Sequence, residues 1–199
     1  MATASRRARP APGLTGAARP PAAPPGAAPG AAGPAADRAV TVLYHSHYAV
    51  LVREAALLVG DVATAEDVVQ DCFIALHRGW WRVRDTSTAL SYLRRSVINK
   101  SRSVLRRRAV AGRLPLPAQP PLPSAEDSAL AVARLSLVRA ALRALPARQR
   151  EVLVLRYYAD LPETQIAAVL GISRGSVKVH AARARDALRT ALADSAPST

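Results

Sequence analysis

The chain has 199 residues, half of them apolar but only 4% aromatic, and a formal charge of +14 at pH 7. No apolar run is long enough to span a bilayer and Cys72 is the only cysteine, which excludes a membrane-spanning helix, a disulfide framework and a cysteine-rich zinc site. The charge resides almost wholly on arginine, with Lys100 and Lys178 the only lysines, and favours a polyanionic partner; a lone cysteine suits a reducing, cytoplasmic setting.

Residues 1–36 are Ala, Pro, Gly and Arg without apolar periodicity, a composition expected to remain disordered because it buries too little to offset its ordering entropy. Arg6 and Arg7 are followed by no apolar segment, so they do not form a twin-arginine export signal. From 37 to 111 the pattern is helical. "AVTVLYHSHYAVLVREAALLVG" predicts a long apolar helix closed by Gly60. "TAEDVVQDCFIALHRG" predicts a second, with Thr64 as N-cap and Asp67 completing a capping box. After a loop around "RVRDTST", "ALSYLRRSVINKSRSVLRRR" predicts a third, strongly basic in its C-terminal half.

Residues 112–123, "GRLPLPAQPPLP", hold five prolines. An extended polyproline path of ~3.1 Å per residue would bridge roughly 35 Å, as a semi-rigid tether. Helix signals resume over 124–193, with Ser124 and Asp127 as a capping box, Pro146 and Pro162 opening further helices, and Ser173 capping the last; 194–199 reads as a disordered tail. No stretch alternates as a strand would. The expected fold is all-α: two small helical domains joined by a Pro-rich linker.

Within the second domain, "ETQIAAVLGISRGSVKVHAARAR" has a small residue, Ala167, four positions before Gly171, and an aliphatic, Val177, six positions after it. That is the spacing of a helix-turn-helix, where two helices cross closely around a left-handed turn. At 100° per residue, Val177, Ala181, Ala184 and Leu188 fall on one face and Ser176, Lys178, Val179, Ala182 and Arg183 on the other. Lys178 and Arg183 are base-edge candidates, while Ser173 and Arg174 at the helix start suit phosphate. The competing interpretation is a solvated basic face of an ordinary bundle helix.

The first domain adds two surfaces. Ala65, Val69, Cys72, Phe73 and Leu76 share one helical face, leaving Glu66, Asp67, Gln70 and Asp71 as an acidic patch on a basic protein, suited to a basic protein partner. Arg94, Arg95, Lys100, Arg102, Arg106, Arg107 and Arg108 follow Trp80, Trp81, Arg82 and Arg84; aromatics interleaved with arginine suit a single nucleic-acid strand. Plugging the domain core is an equally good use of either tryptophan.

The order of acidic "AEDVVQDCF", aromatic "WWRVRD", basic "YLRRSVINKSRSVLRRR", proline linker and "LPARQREVLVLRYYADLPETQIAAVLGISRGSVKVHAARARDAL" resembles a bacterial RNA polymerase sigma factor of the extracytoplasmic-function (ECF) group, over Val40 to Leu192. The resemblance implies region 2-like and region 4-like domains. Asp67, Gln70 and Asp71 would dock on the β′ clamp helices of core polymerase. Trp81, Arg82, Arg84, Asp85, Thr86 and Ser87 would capture a flipped minus-10 base, and Asn99, Lys100 and Arg102 would hold the melted strand. Ser173, Arg174, Ser176, Lys178 and Arg183 would engage the minus-35 duplex beside the β flap. It further implies a monomer when free, no cofactor, no metal and no catalysis, and an anti-sigma factor as a partner common in the group.

The chain departs from that pattern in four places. Ser103 stands where relatives often have aspartate, the linker is neutral where theirs is often acidic, and Val179 and Ala182 are small and apolar where theirs are commonly polar or aromatic. The 1–36 extension has no counterpart. A free-standing helix-turn-helix regulator is the alternative, but it leaves the acidic and aromatic-basic segments unassigned. An enzyme would need paired carboxylates or metal-spaced ligands; His45 and His47 do not share a helical face, and His77 and His180 are isolated. Cys72, on the apolar face, reads as core.

Overall fold

The computed structural model describes residues 33–80, 83, 86–112 and 129–193, and among these it is helical without a strand. The helices are α1 (Pro34–Val59), α2 (Val62–Arg78), α3 (Thr86–Val110), α4 (Ala129–Ala144), α5 (Ala147–Leu153), α6 (Glu163–Leu170) and α7 (Arg174–Ala193). Between α5 and α6, Val154–Tyr158 continues the chain as a π-turn. The expected disorder at 1–32 and 194–199, and the Pro-rich run 113–123 with the Ser124–Asp127 capping box, lie outside the described residues.

Helices α1, α2 and α3 enclose the first core, where Leu51, Ala55, Ala65, Val69, Leu76 and Leu93 are fully buried. Burying a Leu or Val side chain in this way contributes about 1.5–3 kcal/mol. The face expected of α2 is the buried one, Cys72 and Phe73 included. Gly60 ends α1 at φ 98°, a left-handed conformation that glycine adopts without steric cost, and its N–H donates to Ala56 O at 2.9 Å. Trp80 packs against this core, settling one tryptophan in favour of the structural role.

Three expectations about helix starts need correction. α1 begins at Pro34, since proline is pre-organised for a first turn. The N-cap of α2 is Asp61, not Thr64: its carboxylate accepts from Thr64 N at 2.7 Å, which places Thr64 and Asp67 inside the helix and dissolves the predicted capping box. Thr86 and Ser87, assigned to the loop, are the first residues of α3.

Helices α4 to α7 form the second core around Val152, Ile166 and Val177. Pro146 stands just before α5 and Pro162 just before α6, where a missing N–H costs nothing. The carbonyls left open at the end of α4 are covered by Arg150, whose Nη2 donates to Arg143 O at 2.8 Å and Leu145 O at 3.1 Å.

The two cores touch. Leu58 of α1 and Ile98 of α3 are buried in the same cluster as Val152, Leu155 and Ile166. Arg150 Nη1 donates to Leu58 O at 2.7 Å, and Arg102 of α3 pairs with Glu151 of α5.

Candidate nucleic-acid and polymerase interface

Gly171, at φ 65° and ψ 40°, makes the left-handed turn between α6 and α7, with its N–H on Ala167 O. Ile172 N donates to Ala167 O at 3.1 Å, completing the turn. Ser173 caps α7: its Oγ accepts from Ser176 N at 3.0 Å and lies 2.9 Å from Ser176 Oγ, so both hydroxyls have partners within the turn. Val177, Ala181 and Ala184 are buried, and Leu188 packs partly against the core. Ser173, Arg174, Lys178 and Arg183 are exposed, as is Val179, with Ser176 half-buried. The helix-turn-helix spacing is thus realised, and the cations predicted for its outer face point to solvent.

In the first domain Glu66, Asp67, Gln70 and Asp71 are all exposed along α2. Gln70 Nε2 donates to the Tyr48 hydroxyl at 3.5 Å, and Asp71 Oδ2 lies 2.5 Å from Lys100 Nζ. Tyr48 stacks on Tyr44 with ring centroids 4.5 Å apart, and Tyr44 meets Phe73 edge-on at 5.2 Å. This aromatic cluster and the half-exposed Ile74 flank the acidic face. Neither was identified from sequence. The i, i+4 spacing of Tyr44 and Tyr48 was the available signal.

The basic helix differs most from expectation. Among the strand-holding candidates, Asn99 is exposed, but Lys100 is paired with Asp71 and Arg102 with Glu151. Arg102 donates from Nε to Glu151 Oε1 and from Nη2 to Oε2, both at 2.6 Å, and from Nη1 to Asn99 Oδ1 at 3.1 Å. Arg94 donates to the buried carboxylate of Glu54, with Nη2 to Oε1 at 3.1 Å. Burial pushes the Glu54 carboxyl above its usual range, against the opposing pull of Arg94. Arg108 bonds Thr64 Oγ1, Asp61 Oδ2 at 2.9 Å and Val59 O at 3.2 Å, closing the α1–α2 turn. Burial opposes the charge on Asp61, but the bonds from Thr64 and Arg108 outweigh it and hold that carboxyl below its usual range. Arg95, Arg106 and Arg107 remain exposed. Trp81, Arg82, Arg84 and Asp85, and the side chains of Thr86 and Ser87, lie outside the described residues.

Among the described residues no cluster of His, Cys, Asp or Glu could hold a metal ion, and no helix is long and apolar enough to cross a membrane.

Comparison with known proteins converges on one family. Residues 43–110 match the model for sigma-70 region 2, and residues 135–188 that for sigma-70 region 4. The chain is 35% identical over 137 residues to the RNA polymerase sigma-E factor of Streptomyces avermitilis, spanning 68% of this chain and 75% of that one. It is 36% identical over 157 residues to the ECF RNA polymerase sigma factor SigL of Mycobacterium tuberculosis, spanning 75% and 86% respectively. Its fold is similar to that of CnrH, solved in complex with the cytosolic domain of CnrY, with a TM-score of 0.60 at 26% identity over 81% of this chain and 96% of that one. With acidic α2, basic α3 and the α6–α7 helix-turn-helix in the matched order, the chain belongs to the ECF group of sigma-70 RNA polymerase sigma factors.

Proposed function

We propose that this sigma factor divides its work between the surfaces described above. The acidic face of α2, through Asp67, Gln70 and Asp71, docks on the β′ clamp helices of core polymerase. Residues 81–87 capture a minus-10 base, and Asn99, Lys100 and Arg102 hold the opened non-template strand. In the second domain Lys178 and Arg183 read base edges of the minus-35 element, Ser173, Arg174 and Ser176 face its phosphates, and the domain contacts the β flap. The chain carries no catalytic step of its own and works in the cytoplasm, as a monomer until it meets the polymerase. An anti-sigma factor is a fitting regulator, as CnrH and the RpoE of Bartonella quintana were each solved with a binding partner, the latter with the anti-sigma factor NepR.

The observation that carries this reading is α7, with one face buried through Val177, Ala181 and Ala184 and the opposite face offering unobstructed Lys178 and Arg183. A helix so seated can enter a major groove and donate to guanine acceptors. Run-off transcription with core polymerase lacking other sigma factors, on fragmented genomic DNA, tests it. Discrete start sites sharing two upstream elements are expected. Their absence with folded protein and active core would favour a free-standing DNA-binding regulator.

A further inference from the structure

The contact between the two halves falls on a residue proposed to bind promoter DNA. Arg102 projects from α3 onto Glu151 of α5, and both its bonds to that carboxylate are 2.6 Å. Glu151 is 3% exposed and is also approached by Arg148 Nη1 at 3.4 Å, so its charge is held between two guanidinium groups. A guanidinium presents the same planar fork to a carboxylate and to a phosphate, and binds both bidentately. Glu151 therefore occupies the part of Arg102 that a strand phosphate would take.

The junction around this pair is imperfect. Leu58 and Ile98 bury their side chains in the second core, which draws the halves together. Yet Ser101 Oγ and Arg150 Nε are buried without a hydrogen-bond partner, beside a cavity of about 10 Å³. A groove of about 670 Å³ also opens between α1 and the face made by α4, the π-turn and Tyr157. Interiors built to stay closed pack without such voids and leave few buried polar atoms unpaired. Interfaces between domains of one chain are commonly separable.

We propose that the free chain is latched shut by its own C-terminal domain, with Glu151 as an internal stand-in for a DNA phosphate on Arg102, and that promoter engagement exchanges carboxylate for phosphate. The closed chain is then latent. It keeps Lys178 and Arg183 exposed for duplex DNA but withholds Arg102 from a single strand until the halves part. This rests on the strand-holding role proposed above for Arg102.

The test uses the full chain, a fluorescein-labelled single-stranded oligonucleotide followed by anisotropy across a salt series, and small-angle scattering for compactness. Glu151→Gln should enlarge the radius of gyration and add one phosphate contact. That contact steepens the log–log salt slope by about 0.7, or roughly fivefold in affinity at 0.1 M salt. Asp186→Asn removes the same charge at an exposed site of α7, and should leave size and slope unchanged. Leu58→Ser opens the junction from the other side without touching Glu151, and should reproduce both changes. Adding Arg102→Gln to either opened variant should return the slope to the wild-type value while the chain stays expanded.

Unchanged size and slope in both Glu151→Gln and Leu58→Ser, with native helicity, would overturn the latch. An opened chain indifferent to Arg102→Gln would refute the strand-holding role, and the exchange with it. An opened chain that loses slope on Arg102→Gln, yet gained none on opening, would overturn the exchange alone.

Discussion

Removing Arg94 tests how the first domain tolerates a charge in its core. Glu54 is 3% exposed on α1, and Arg94 reaches it from α3 with its own side chain only 13% exposed. Arg94→Met keeps the packing of the stem but leaves the carboxylate buried without its cation, an arrangement that costs about 3–5 kcal/mol. Replacing both members, Glu54→Leu with Arg94→Leu, should cost within about 1 kcal/mol of nothing, because the desolvation penalty disappears with the charges. The deficit of Arg94→Met should also depend on pH. Burial already holds the Glu54 carboxyl above its usual range, and loss of the cation raises it further. A carboxyl with a raised folded pKa binds its proton more tightly in the folded state. Stability is therefore gained as pH falls from that pKa toward the unfolded value near 4.3, at up to about 1.36 kcal/mol per pH unit. Urea unfolding at several pH values, followed by tryptophan fluorescence, is a suitable assay because Trp80 and Trp81 both lie in this half of the chain. A deficit that shrinks steadily on acidification is expected. A deficit below about 1 kcal/mol at pH 7, or one that grows on acidification, would refute the reasoning.

Further outcomes are expected at other positions. Gly171→Ala should destabilise by roughly 1 kcal/mol through the left-handed backbone, as an added Cβ would meet only Arg95 Nη2 at an ordinary 3.5 Å; thermal melts compared with Gly171→Asn would check it. Asp61→Asn should flatten the acid limb of the stability curve. Its depressed carboxyl contributes stability that is complete above about pH 4 and lost as pH falls through the folded pKa, which urea midpoints between pH 5 and 3 would reveal. Lys178→Ala and Arg183→Ala should each relax discrimination at particular minus-35 base pairs by about 1–3 kcal/mol, whereas Arg174→Ala should weaken all sites alike; competition binding with single-base variants separates the two patterns. Charge reversal at Asp67 and Asp71 should abolish core-polymerase binding, read by gel filtration with core, while helicity is retained.

Much of the architecture was legible because it rests on local signals. Gly60 and Gly171 both close their helices in the left-handed conformation expected, and the α2 and α7 faces follow from a 100° periodicity. What sequence did not disclose depends on partners far along the chain. Arg102 and Glu151 are 49 positions apart, as are Arg108 and Val59, and nothing local to α3 marks which of its arginines face inward. The misplaced cap of α2 has a different cause. Asp61 and Thr64 are both good caps, and only the bond from Thr64 N to Asp61 Oδ1 decides between them. Glu151 was passed over because a glutamate beside Arg148 and Arg150 looks like surface charge, whereas it is among the few buried ionisable groups.

The π-turn at Val154–Tyr158 bears on how this chain tolerates changes in length. There the hydrogen bonds reach five residues back, as from Ala159 N to Val154 O at 3.0 Å, so one residue more is spent per turn than in α5. Deleting a single residue in the segment would let the helix continue as regular α, and would rotate everything downstream by about 100°. Asp160 at φ 49° and the Arg156–Glu163 pair would lose their registration with α6, and the reading face of α7 would swing away from the axis set by α5. The spacing between Pro146 and Gly171 is therefore a gauge length: residues within it can be exchanged, but their number cannot.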